Sequence, residues 1–188
     1  MKIKNGLVLG AVFGLAATRM AFADPTALEL IEKGDAYVGV QSKDKVIQIA
    51  SEKSVATMEP NIWHITYFDP DSTFKTTEVE FGAGQQMGIS HPMRMFPAHA
   101  TDVLDLSKVD VDSDRALKIA ASQPLIKALT LRSSKMTLHT TDDGVVWDVE
   151  LWAAKVGDST KEADIGTISI SAADKSIVKS DLHPSNVD

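Results

Sequence analysis

Two periods of apolar residues alternate along the chain. From Pro25 to Lys33, Ala27, Leu28 and Ile31 recur at helical spacing and the run stops at Gly34, which predicts a short helix or arm. Ser42 is then placed to cap a helix, Asp44 falls in its first turn, and Val46, Ile47, Ile49 and Ala50 form an apolar stripe, so a better-marked helix is predicted over 42–50. After Pro60 the period changes to two. Ile62 to Phe68 is rich in aromatic and β-branched residues, with Trp63, Ile65 and Tyr67 on one face. A turn at Asp69-Pro70-Asp71-Ser72 separates it from Thr77, Val79 and Phe81, which alternate with Glu78 and Glu80 as a strand with one wet face and end at Gly82-Ala83-Gly84.

Residues 91–112 carry Pro92 and Pro97 and little periodicity, and read as a connection between two halves. The order then repeats. Ser113 and Asp114 open a helix with Ala116, Leu117, Ile119 and Ala120 on its apolar side, and Pro124 marks its end or a restart. Met136, Leu138 and Thr140 alternate with polar residues, Asp142-Asp143-Gly144 signals a hairpin, and Val145, Trp147, Val149 and Leu151 return on one face. A polar loop over 157–164 leads to Ile168 and Ile170 in a last alternating strand, residues 172–176 turn the chain again, and the tail after Leu182 is expected to be loose. Laid over one another, Lys45 to Ala50 matches Arg115 to Ala120, and Asn61 to Phe68 matches Val145 to Trp152 with tryptophan on tryptophan. The prediction is an α+β fold of two tandem αβββ repeats, with helices packed on a largely antiparallel sheet. Residues 24–41 form a helical arm, 42–90 the first repeat, 91–112 the linker, 113–182 the second repeat and 183–188 the tail.

The order helix, Trp-centred strand, turn and closing strand, ending in Ile168-Ser169-Ile170-Ser171-Ala172-Ala173-Asp174-Lys175-Ser176-Ile177-Val178, resembles the PepSY domain, whose repeats close with an apolar strand, a small-residue turn and a return valine. The resemblance implies an exported module that binds or restrains a secreted peptidase, or an interaction domain with another target. It carries over no catalytic residue.

Export is expected on independent grounds. Lys2 and Lys4 open the chain, Gly6 to Ala17 is almost wholly apolar, and Ala21-Phe22-Ala23 puts small residues where a signal peptidase reads, so residues 1–23 read as a cleavable signal peptide cut before Asp24. The apolar run falls short of the roughly 20 residues a membrane-spanning helix needs, so no membrane anchor is expected. With no cysteine, lipid attachment in the manner of a lipoprotein is excluded, and the expected place is periplasmic or secreted. Loss of Lys2, Lys4 and Arg19 takes the formal charge from −7 to −10. So acidic a domain, with no local basic cluster, argues against nucleic acid or anionic lipid as partner.

Three chemistries compete. Phe68 and Trp152 fall on the opposite strand face from Trp63 and Trp147, which makes them candidates for contact with another envelope or secreted protein, a peptidase among them. Binding without a cofactor is the leading reading. Met87, His91, Met93, Met95 and His99 offer thioether and imidazole ligands, so the first alternative is copper held by the linker. Asp69, Asp71, Thr73 and Glu80 fit four places of a calcium loop, but Phe74 stands where the turn needs glycine. No nucleophile elbow, zinc helix or phosphate loop is present, so no enzyme is expected; a hydrolase assembled in space from the five histidines and scattered Ser and Asp residues is the remaining alternative.

Overall fold

The computed structural model describes residues 24–93 and 98–188, and the expected signal peptide lies outside them. In chain order the elements are α1 (Ala27–Gly34), β1 (Val46–Ser51), β2 (Ile62–Phe68), β3 (Thr76–Gly82), β4 (Gln85–Ser90), α2 (Ser113–Ala121), β5 (Leu131–Thr141), β6 (Gly144–Lys155), β7 (Asp158–Ser171) and β8 (Ile177–Leu182). The eight strands make one antiparallel sheet in the order β4-β3-β2-β1-β5-β6-β7-β8. Each half is a meander. The two meet along β1 and β5, where Ile49 pairs with Leu138 and Ala50 with Thr137. Buried serines extend this seam: the Met136 N–H donates to Ser51 Oγ and the Ser134 N–H to Ser54 Oγ, both at 2.9 Å.

The α+β class and the antiparallel sheet agree with the sequence reading, but several elements differ from it. The segment 42–50 is not a helix. Val46, Ile47 and Ile49 are β-branched and lie in β1, buried between β2 and β5, and Asp44 has φ of 59°, outside any helical turn. Its superposition on Arg115 to Ala120 therefore fails, because the latter is α2. The helix of the first half is α1, which belongs to the core with Ala27 and Leu30 fully buried. Each half has four strands after its helix, not three. The expected loop at 157–164 is largely the start of β7, and the tail is tied down: the His183 N–H donates to the Ile165 carbonyl, the Val156 N–H to that of Val187, and Val187 is buried. The linker is likewise anchored, through Leu104 N–H to the Val46 carbonyl and the Asp110 and Val111 N–H groups to that of Ala172.

Both helices and the inner sheet face share one hydrophobic core. Trp63 and Trp147 meet edge to face at its centre, ring centroids 6.3 Å apart, and each indole N–H donates to a backbone carbonyl, of Pro60 and Val111 respectively. The helices meet at their N-termini. Asp112 Oδ1 accepts the Ser113 N–H at the start of α2 and the Leu28 N–H of α1, while Ser113 Oγ accepts the Ala27 N–H. One two-residue step thus caps two helices that are far apart in sequence.

Tyr67 fixes α1 to the sheet by donating its hydroxyl to the Ile31 carbonyl at 3.1 Å. Burial, reinforced by the nearby Asp35 carboxylate, pushes its phenol well above the usual tyrosine range. A phenol that ionises more readily unfolded than folded favours the unfolded chain once pH passes about 10, at up to about 1.4 kcal/mol per pH unit. Tyr67→Phe is expected to lower the urea midpoint at pH 7 but to flatten its fall between about pH 10 and 11 relative to wild type. Parallel profiles for the two proteins would show that Tyr67 is not the group being titrated.

Candidate functional site

The two ends of the sheet differ. Both edge strands carry a bulge, so the contrast lies in their side chains. β8 has Lys179 and Asp181 within it, and the ordered tail follows directly. Charges within an edge strand are a usual defence against further pairing. β4, Gln85-Gln86-Met87-Gly88-Ile89-Ser90, has no charged residue at all and exposes Met87 and Ile89.

The geometry around β4 follows from its register. Ile89 lies opposite the buried Val79, on the inner face of the sheet, and remains half exposed. Nearby, Tyr37 from the α1–β1 loop stands edge-on to Phe81, ring centroids 6.3 Å apart, and is itself partly exposed. On the outer face Gly88 is opposite Glu80 and Ser90 opposite Glu78. Gly88 leaves Glu80 room to lean over β4, while the Glu78 carboxylate lies between β4 and β2, its Oε2 3.5 Å from Thr66 Oγ1. Glu80 Oε2 lies 3.3 Å from where a Cβ on residue 88 would be, and Ser90 Oγ is 3.5 Å from Glu78 Oε1. Glu78 also contacts His64, whose Nδ1 is 3.2 Å away, whereas Glu80 has no ion-pair partner among the described residues.

Phe68 and Trp152 both lie half-buried on the outer face, but β1 and β5 stand between their strands, so they do not form one patch. Trp152 is roofed by the Lys53 ammonium, 4.4 Å from the ring centroid, and Lys53 pairs with Glu162. Of the expected copper ligands, Met87 and Met93 are exposed on and just beyond β4, His99 precedes a short 3-10 turn, and Met95 lies outside the described residues. His91 folds back instead, its Nδ1 3.0 Å from Thr77 Oγ1 and 3.3 Å from the Thr76 carbonyl. Thr77 donates to Asp69, whose carboxyl is pushed up by burial but held below its usual range by hydrogen bonds from Thr77 and the Asp71 N–H. Among the described residues no group of three or more His, Cys, Asp or Glu side chains is placed to hold a metal ion.

A second cluster of hydroxyl, imidazole and carboxylate lies on the outer face of the second half. Ser169 Oγ donates to Asp148 Oδ1 at 2.5 Å, and His139 Nε2 lies 2.8 Å from Asp148 Oδ2. The serine and histidine occupy opposite oxygens of one carboxylate, so the imidazole is not positioned to take the serine proton. No family model, curated protein or solved structure matches this chain.

Sequence reasoning missed β4 itself. The sequence signal for it is Gly82-Ala83-Gly84, which is a two-residue hairpin turn and not the end of the sheet: Ala83 and Gly84 have φ of 47° and 73°.

Proposed function

We propose that this chain is an exported, non-catalytic protein-binding module of the PepSY type, and that it takes up an extended segment of another envelope or secreted protein along β4. A secreted peptidase is the partner class that the family resemblance favours. Both edges expose apolar side chains, Met87 and Ile89 on β4 and Ile177 and Val178 on β8, and the observation that carries the reading is the contrast in charge, none in β4 against Lys179 and Asp181 in β8. Strand addition satisfies the outward backbone groups of such an edge, and alternate side-chain positions provide selectivity.

The repeat architecture is part of the proposal, as two αββββ units in one sheet. Trp63 lies between Ser51 and Phe81 on its neighbouring strands as Trp147 lies between Leu138 and Ile170. Under that correspondence His64 matches Asp148 and Glu52 matches His139. Each pair interacts across its strands, at 3.7 Å for Glu52–His64 and 2.8 Å for His139–Asp148, with acid and imidazole exchanged. Ala50 and Thr137, paired across the seam, also match, so an approximate two-fold axis through them relates the halves.

A photo-crosslinking residue in place of Gln86, and in a control chain in place of Val178, tests the binding reading in the cell that makes the protein. The expected result is one predominant cross-linked protein from position 86 and none from 178. Equal labelling from both positions, or none from 86, would remove β4 as the docking edge.

A further inference from the structure

The side chains beside β4 specify more than an extended partner. We infer that the segment bound there alternates basic with apolar residues, lysine or arginine toward the outer face and aliphatic residues toward the inner one. The inference rests on the strand-addition reading and goes beyond it by naming the chemistry of the occupant.

A ninth strand would lie about 4.8 Å beyond β4, with side chains alternating between the two faces in step with those of β4. Its outer-face residues would sit beside Gly88 and Ser90. Neither residue projects far enough to fill that space; Glu80 reaches across Gly88 from β3, and the Glu78 carboxylate, held between His64 and Ser90, borders the next outer-face position. Two acids at strand-alternate positions, one without an ion-pair partner among the described residues, would meet two side chains of the incoming strand at the same two-residue spacing. Acidic residues there would face like charge, and neutral ones would leave Glu80 without a counter-charge. On the inner face the incoming residues would meet half-exposed Ile89, with the partly exposed Tyr37 ring nearby against Phe81. Aliphatic side chains there remove apolar surface from water. The overall formal charge of −7 opposes a second copy of this chain as the occupant and favours a cationic one.

The test uses the purified full-length chain and four short acetylated synthetic peptides. One alternates lysine with valine, one threonine with valine, one glutamate with valine, and the last repeats the lysine sequence with alternate backbone nitrogens methylated. Calorimetric titration at low and at physiological salt is expected to rank lysine about tenfold tighter than threonine, with no measurable binding for the glutamate or methylated peptides. Glu80→Gln should erase most of the lysine preference. Asp143→Asn, which removes the same charge at the tip of the β5–β6 turn, should leave it intact and so separates local contact from general attraction. Equal affinity for the lysine and threonine peptides, or an unchanged preference in Glu80→Gln, overturns the charge inference and leaves strand addition standing. Equal binding of the methylated peptide overturns strand addition, and no binding by any peptide overturns both.

Discussion

Replacing Trp147 with alanine is expected to cost about 4 kcal/mol of stability, a drop of roughly 10 °C in Tm for a chain of this size. The side chain is fully buried, so truncation loses its transfer free energy and leaves a cavity among strands that are fixed by pairing on both sides of β6. Two further losses come with it. The Val111 carbonyl loses the indole N–H that donates to it at 2.8 Å, and Trp63 loses its edge-to-face partner. Trp147→Phe keeps an aromatic ring in the core but not the N–H, and is expected to recover about half of the loss. Urea unfolding followed by far-ultraviolet circular dichroism measures both variants. A loss below about 1 kcal/mol for the alanine variant would mean that the tryptophan pair is not the keystone of the core.

Gly166→Ala is expected to cost about 3 kcal/mol, and its damage to be local. Gly166 has φ of 104°, where a side chain is strained, and a Cβ built there would overlap the backbone carbonyl oxygen of Asp181 on β8. That oxygen cannot swing away as a side chain would; β8 itself has to move. Gly166 follows a bulge in β7 that turns Ile165 into the core, so the backbone there cannot relax freely either. Gly144 is the control. Its φ of 108° is as unusual, but nothing lies within 4 Å of an added Cβ, so Gly144→Ala isolates the conformational cost at about 1 kcal/mol. Amide hydrogen exchange in Gly166→Ala should quicken over β8 and the tail and remain slow at the β1–β5 seam. Equal costs for the two substitutions would show that the contact with Asp181 is not what constrains this position.

The parts of the fold legible in the sequence were those in which one face alternates cleanly. β2 and β6 could be read, and matched to one another, because a tryptophan sits at the same phase in each. β1 could not. Apolar residues at 46, 47 and 49 satisfy either period over so short a span, Ser42 and Asp44 imitate a helix start, and what decides the outcome is the presence of β2 and β5 on either side. β4 was missed because an edge strand has little to bury and so shows no alternation. The joint cap at Asp112 was also invisible, since Leu28 is 84 residues away and only the fold brings it there. For the proposed binding edge, the glutamates are legible as the wet face of β3, but the reach of Glu80 across β4 depends on the small residue at Gly88 and on a register that the sequence does not reveal.

The inequality of the two sheet ends also limits how large an assembly can become. Growth into a filament needs each copy to offer two surfaces that fit one another, so that every addition recreates the place for the next. Here β8 presents charge and a fixed tail where such a second surface would have to be. Under the proposed strand addition, a complex formed through β4 would terminate after a single addition, and even an accidental pairing of two β4 strands would close on itself as a dimer with both charged ends outward.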